Sequence, residues 1–377
     1  MDDLERDTKR ACCVSLCPVR KSALHLWFKV LLLFCVGFLV IFSSASWWDF
    51  SFHEHYQNIF NWTIQFPRTV YSGPGFRLNE VIETKNVTST VPTAALTGTL
   101  YHQAYPRNYD FIMDNKEVCK SITPFLVLMV PVAPQNREAR DAIRQTWGNE
   151  SLVQGEVVLT LFMLGLPRNA DDEQQKQKLD QENLQYHDLI QSSFMDSYLN
   201  LTIKTMVIMD WLATRCPTAA YAMKVDSDMF LNIDNLVKML TLPGIPKWNY
   251  LTGMLMVNRE VIRYKESKWY VPEELYPDSR YPTYTLGMGY VFSNDLPKKF
   301  VEVSKSIKPF NIEDAYIGMC MKQLGFTPTS PPNPWQFQAY NTKYDRCIFS
   351  RVITFILGSS REILNYWTDL KKPGAPC

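Results

Sequence analysis

The sequence has no surplus of charge: 39 lysines and arginines stand against 38 aspartates and glutamates in 377 residues, a net charge of +1. It has no basic stripe, no RNA- or DNA-reading motif and no zinc-finger cysteine spacing, which excludes nucleic acid as a partner. No internal repeat or low-complexity tract is present, so a repeat architecture is excluded as well. Once the N-terminal portion is set aside, about 250 residues remain, enough for one large α/β domain.

One long uncharged apolar run does occur, from Val30 to Trp48. It is long enough to cross roughly 30 Å of hydrocarbon. Arg20, Lys21 and Lys29 precede it, and no lysine or arginine follows until Arg68. The positive-inside rule therefore puts residues 1–29 in the cytosol, 30–48 in the membrane as a signal anchor, and the rest in a lumen. Ser44-Ala45-Ser46 offers small residues for signal cleavage, but the segment before the apolar run is unusually long for a signal peptide. Four sequons, at Asn61, Asn86, Asn149 and Asn200, fall after the run, where glycosylation machinery can reach them.

Of nine cysteines, Cys119, Cys216, Cys320, Cys347 and Cys377 lie on the luminal side, and the simplest arithmetic in an oxidising compartment is two disulfides and one spare thiol. Spacing does not fix connectivity. The expected pairs are Cys119–Cys216, tying the start of the domain to the strand bearing Asp226, and Cys320–Cys347, tying the Asp314 helix to the C-terminal segment.

Residues 49–120 are rich in Asn, Thr, Pro and Gly with no sustained period, which describes a stem. The apolar run 125–130, closed by Pro131, is the first buried strand expected, and 121–377 is the expected catalytic domain. A second strand is expected over 157–164, a polar helix over 171–186, a buried helix over 198–212 and a strand over 221–225. Strands alternating with helices imply a largely parallel sheet covered on both faces, with ligands at the carboxyl ends of its strands.

At such an end stand Asp226 and Asp228, in Lys224-Val-Asp-Ser-Asp228. Paired carboxylates suit a hard divalent cation that can bridge a nucleotide-sugar diphosphate, although Asp-x-Asp is also common in solvated turns. Asn311-Ile-Glu-Asp314 opens a helix whose Ile317, Cys320, Met321 and Leu324 share one face. Asn311 reads as its cap, with Glu313 and Asp314 complementing the helix dipole; alternatively, one carboxylate is a general base. Arg140 and Arg144 lie four apart on one helix face, either gripping a pyrophosphate or sitting as ordinary surface arginines. The stretch from Tyr281 through Gly287 and Gly289 to Tyr290 suits close ligand approach and sugar stacking, or a bulged loop.

Together and in this order, these segments resemble the β-1,3-glycosyltransferase family of the Golgi, particularly its β-1,3-galactosyltransferases. The likeness runs from Phe125 to Trp367 and takes in Phe194-Met-Asp-Ser-Tyr-Leu-Asn-Leu-Thr-Ile-Lys-Thr205. It implies an α/β fold of GT-A type with a Rossmann-like, mostly parallel sheet, preceded by a single transmembrane helix in the Golgi membrane. By residue, it implies that Asp314 is the catalytic base and that Asp228, with Asp226, holds Mn²⁺. Arg140, Arg144, Lys224, Asp226, Tyr281, Gly287 and Gly289 are implied to bind the donor, UDP-galactose. The implied reaction is one inverting displacement, in which the 3-hydroxyl of a glycan acceptor gives its proton to Asp314 and attacks the sugar C1.

Two departures from the family pattern stand out. Thr285-Leu286 replaces the usual Cys-Ser before the first glycine, and Phe355-Ile356-Leu357 stands where the family carries a metal-holding histidine. No histidine follows His187, so Mn²⁺ is expected to bind weakly. Two alternatives stay open, with no oligomeric state implied by either: a UDP-N-acetylglucosamine donor, with Met288 placed to sense its size, and a catalytically silent partner of other transferases.

Overall fold

The computed structural model describes residues 107–168, 173–339 and 343–377. In chain order the strands are β1 (Phe111–Met113), β2 (Leu126–Pro131), β3 (Leu152–Val153), β4 (Glu156–Leu166), β5 (Leu189–Met195), β6 (Tyr221–Val225), β7 (Met229–Leu231), β8 (Leu251–Met256), β9 (Tyr284–Ser293) and β10 (Thr354–Ile356). The helices are α1 (Val118–Ser121), α2 (Arg137–Arg144), α3 (Glu173–Tyr186), α4 (Leu201–Arg215), α5 (Ile233–Leu240), α6 (Leu296–Ser304), α7 (Glu313–Gln323), α8 (Arg346–Phe349) and α9 (Ser360–Leu370). The main sheet has the order β1-β5-β4-β2-β6-β9-β8, with β3 on β4; β7 and β10 form a separate pair.

The strands and helices expected at 125–130, 157–164, 171–186, 198–212 and 221–225 are present as β2, β4, α3, α4 and β6, shifted at their ends by a few residues. Parallel pairing is confined to the block β5-β4-β2-β6, and antiparallel strands flank it on both sides. The sheet is thus mixed. Alternation along the buried strands divides the interior into two layers. Val127, Met129 and Ala222 face the core under α4, α6 and α7, while Leu126, Leu128, Met223 and Val225 face the one under α2 and α5. Lys224 alternates onto the first of these faces and is itself buried, which is what places its ammonium against α4 and α7.

Ordered structure reaches back past the boundary expected at residue 120. β1 pairs with β5, and Cys119 on α1 is bonded to Cys216. The membrane span expected at 30–48 lies outside the described residues, as do Asn61 and Asn86. Among the described residues no helix is long and apolar enough to cross a membrane.

The second expected disulfide is not formed. Cys347 pairs with Cys377, and Cys320 is a free, buried thiol. Cys320 lies on the face of α7 that packs into the core, whereas Cys347 sits on α8, from which the chain returns to Cys377. The spare thiol of the cysteine arithmetic is therefore Cys320.

Candidate active site

β6 runs directly into the turn Asp226-Ser227-Asp228, which β7 follows. Three contacts fix that turn: Asp226 N donates to Met288 O of β9 at 2.9 Å, Leu357 N donates to Asp228 O at 3.0 Å, and Trp147 Nε1 donates to Met229 O at 3.2 Å. Asp226 Oδ1 lies 2.7 Å from Lys224 Nζ, which also bonds Glu313 Oε1 at 2.8 Å and the carbonyl of Gly287. One buried ammonium thus joins the turn to the start of α7. Burial opposes its charge, but Asp226 and Glu313 prevail and hold Lys224 protonated well above the usual lysine range.

Glu313 is almost wholly enclosed, and its other oxygen accepts from Thr205 Oγ1 at 3.0 Å and Tyr290 Oη at 3.2 Å. The neighbouring Asp314 is half-buried. Its Oδ2 accepts from Gly287 N at 3.0 Å and its Oδ1 from Ala315 N at 2.8 Å. Asn311 does not cap this helix: the N-cap is Ile312, with no side-chain cap bond, and Asn311 Nδ2 donates instead to Tyr270 O. Of the two carboxylates, Glu313 is consumed by the scaffold and Asp314 is the one available for chemistry. Desolvation, with the charge of Glu313 beside it, pushes Asp314 up to about 7, against the opposing pull of its backbone hydrogen bonds. A base poised there can accept a proton near neutral pH.

Asp228 is solvent-exposed at the end of the turn. Desolvation and then the charge of Asp226 raise it to about 6. Tyr198 lies exposed in the short turn before α4. Desolvation first, then the charges of Asp314 and Asp226, raise its phenol to about 12. Residues 257–283 between β8 and β9 are pinned by Arg263 to the carbonyls of Val271, Tyr276 and Asp278, and Tyr270 O ties the segment to Asn311 ahead of α7. It presents Lys268, with Nζ 4.6 Å from the Trp269 ring centroid and 5.9 Å from that of Tyr198.

Several expected donor-site residues have other partners. Arg140 is buried; Nε and Nη2 make a paired contact with Glu182 at 2.7 and 2.8 Å, while Nη1 and Nη2 reach the carbonyls of Ala133 and Pro134. Arg144 bonds Asp141, Glu182 and both oxygens of Asp188, and stacks on Tyr186 at 4.0 Å. The two do share a helix face, but that face holds α2 onto α3 and onto Asp188, just ahead of β5. Neither the diphosphate grip nor the surface reading describes them.

Gly287 and Gly289 lie within β9 rather than in a loop. A Cβ on Gly287 would meet Glu313 Oε1 at 2.7 Å, and one on Gly289 would meet Met223 Cε at 3.2 Å and Thr354 Cγ2 at 3.3 Å. Both glycines admit neighbouring protein groups. Tyr281 is packed among Tyr276, Tyr284 and Phe310, and its hydroxyl has no hydrogen-bond partner among the described residues.

Sequence reasoning missed the Lys224–Glu313 link, the pairing of Glu182 with both arginines, and Lys268. The sole local signal for Lys268 was a cation followed by two aromatics, Trp269 and Tyr270.

The galactosyltransferase family model matches residues 138–332, a span that includes all of α2 but its first residue, the Asp226–Asp228 turn, β9 and Asp314 but stops before β10. The chain is 39% identical over 327 residues to beta-1,3-galactosyltransferase 2 of Homo sapiens, covering 85% of this chain and 77% of that protein. It is 40% identical over 300 residues to beta-1,3-galactosyltransferase 2 of Mus musculus, covering 78% and 71%. With beta-1,3-galactosyltransferase 1 of Mus musculus it shares 39% identity over 266 residues, 70% of this chain and 79% of that one.

Proposed function

The chain belongs to the galactosyltransferase family, and from that premise we propose that it transfers galactose from UDP-galactose, with inversion, to the 3-hydroxyl of a terminal N-acetylglucosamine or related sugar. The observation that carries this reading is Asp314, raised to about 7, held by Gly287 N and joined through the Gly287 carbonyl and Lys224 to the Asp226–Asp228 turn. Asp314 takes the acceptor proton as the 3-hydroxyl oxygen attacks C1 and the bond from C1 to the diphosphate breaks. Tyr198 and Trp269 offer apolar faces on which a pyranose ring can lie.

The divalent cation that the family implies does not fit a protein-made site here. Among the described residues no three His, Cys, Asp or Glu side chains are grouped to hold a metal. Asp226 is bonded to Lys224, and the apolar Ile356 pairs with Met229 beside Asp228. A Mn²⁺ ion would find Asp228 and little else, so no step of the reaction is assigned to it.

The wider reading is a GT-A glycosyltransferase, anchored by residues 30–48 as a single-pass type II protein with its catalytic domain in the Golgi lumen. Its partners are a UDP-sugar and a glycan acceptor on glycoprotein or glycolipid. Support for the membrane topology comes from the uncharged run and the basic residues before it.

The test is incubation of the purified protein with UDP-galactose or UDP-N-acetylglucosamine and simple β-linked acceptors, with linkage analysis of the product. Galactose found β-linked to O3 is the expected result. Turnover of UDP-N-acetylglucosamine alone would reassign the donor, and absence of transfer from either would overturn the reading.

A further inference from the structure

Glu313 and Asp314 flank one glycine from the first turn of α7. The point at which a Gly287 Cβ would sit lies 2.7 Å from Glu313 Oε1 and 3.2 Å from Asp314 Oδ2, so two carboxylates approach each other across a residue too small to separate them. Their partners are unequal. Glu313 accepts from Lys224 Nζ at 2.8 Å, Thr205 Oγ1 at 3.0 Å and Tyr290 Oη at 3.2 Å, donors that come from β6, α4 and β9. Asp314 accepts from two backbone N–H groups, those of Gly287 and Ala315.

Glu313 and its three donors are all buried. A carboxylate taken out of water needs an ammonium and further donors to stay charged. This set supplies them, and the salt bridge with Lys224 holds Glu313 as an anion. A fixed anion on one side of Asp314 disfavours a second ionised carboxylate there. Among the other groups around Asp314, Lys224 on β6 acts in the opposite sense. The phenols of Tyr198, Tyr281, Tyr284 and Tyr290 stay neutral, because burial raises each above the usual tyrosine range.

We propose that Glu313 is the positioning residue for the base: pinned from three elements, its carboxylate fixes the first turn of α7 against Gly287 and stands as a constant negative charge beside Asp314. The inference deepens the transferase reading above and rests on it. A neutral side chain of the same length would leave Asp314 in place but make it a weaker base. A shorter acid would keep the charge but draw the turn out of position. In the reaction Glu313 exchanges no proton: the acceptor proton passes to Asp314, and Glu313 keeps its bonds to Lys224, Thr205 and Tyr290.

The experiment compares wild type, Glu313→Gln and Glu313→Asp as purified full-length proteins, by two measurements. The first is the pH dependence of kcat for galactose transfer. The second is the titration of Asp314 itself, followed by NMR of protein carrying ¹³C at its aspartate carboxyls, with the Asp314 signal identified by its absence from Asp314→Asn. Glu313→Gln keeps the reach and loses the charge, so the midpoint of both curves should fall by about one pH unit. Glu313→Asp keeps the charge and loses the reach. Its midpoint should stay near 7, while kcat drops roughly 10- to 100-fold, the scale of a misplaced reacting group, with the acceptor KM nearly unchanged.

Coincident midpoints in wild type and Glu313→Gln would overturn the inference, since a side chain that merely fills space leaves the titration where it is. So would full turnover in Glu313→Asp, which would show that the reach to Lys224, Thr205 and Tyr290 does not place the base. A wild type that transfers no sugar would remove the transferase reading, and the NMR midpoints would still decide whether Glu313 governs Asp314.

Discussion

The backbone N–H of Gly287 donates to Asp314 Oδ2 at 3.0 Å, and the carbonyl of the same glycine accepts from Lys224. This one residue therefore orients the base and joins it to the ammonium bound to Asp226. The contact is close because Gly287 has no side chain: an added Cβ would sit 2.7 Å from Glu313 Oε1 and 3.2 Å from Asp314 Oδ2. Gly287→Ala should push the start of α7 away and destabilise the protein by about 1–3 kcal/mol, the range for overpacking a filled site. Thermal melts and kcat should both fall; a variant unchanged in both would show that α7 can yield freely.

Replacing Asp314 separates chemistry from binding. Asp314→Asn keeps an oxygen for Gly287 N but cannot accept a proton, so turnover should drop at least about a hundredfold, with UDP affinity nearly unchanged in calorimetry. Wild-type activity should rise with pH through about 7, since the ionised carboxylate is the active form. Stability runs the other way. The folded-state pKa lies above the usual carboxylate value, so this group's contribution is full at low pH and is lost as pH rises through about 7. Asp314→Asn should accordingly melt no lower than wild type at pH 8, and a clearly lower melting temperature would assign the carboxylate a structural role.

Arg140 gives the opposite signature. Removing one partner of a buried pair costs up to about 3–5 kcal/mol, and here Glu182 would keep Arg144 at Oε1 but lose the partner of its Oε2. Arg140→Ala should therefore unfold at markedly lower denaturant concentration, while the fraction that remains folded binds UDP as wild type does. A stable variant with weakened UDP binding would return Arg140 to the donor site.

Ile356 governs what a metal can find. It stands opposite Met229, and the next residue, Leu357, donates its N–H to Asp228 O. Ile356→His would add a nitrogen ligand beside an oxygen ligand. Affinity for Mn²⁺, read from the paramagnetic resonance signal of the free ion in the absence of nucleotide, should rise roughly 10- to 100-fold. Equal Mn²⁺ binding by both forms would show that position 356 does not reach the ion.

The sequence by itself determined the elements whose pattern is local. Apolar runs of strand length at 125–130 and 221–225 became β2 and β6, and the period along Ile317, Cys320 and Met321 became the core face of α7. It also put Asp226 and Asp228 at the end of a strand, because a buried strand must exit into a polar turn. Tertiary structure alone decided which partner each charged group meets. Glu313 and Asp314 are adjacent in sequence, yet the first points to Lys224, Thr205 and Tyr290 and the second to the backbone of Gly287, since a helix turns successive side chains by about 100°. Arg140 and Arg144 looked like ligand-binding residues until α3 brought Glu182 beneath them. Cys347 paired with Cys377 rather than Cys320, because α7 buries its thiol on the core side. Periodicity reports which face of an element is apolar, whereas ion pairs and disulfides depend on distances between elements remote in sequence, and those are fixed only when the sheet and its two helical layers pack.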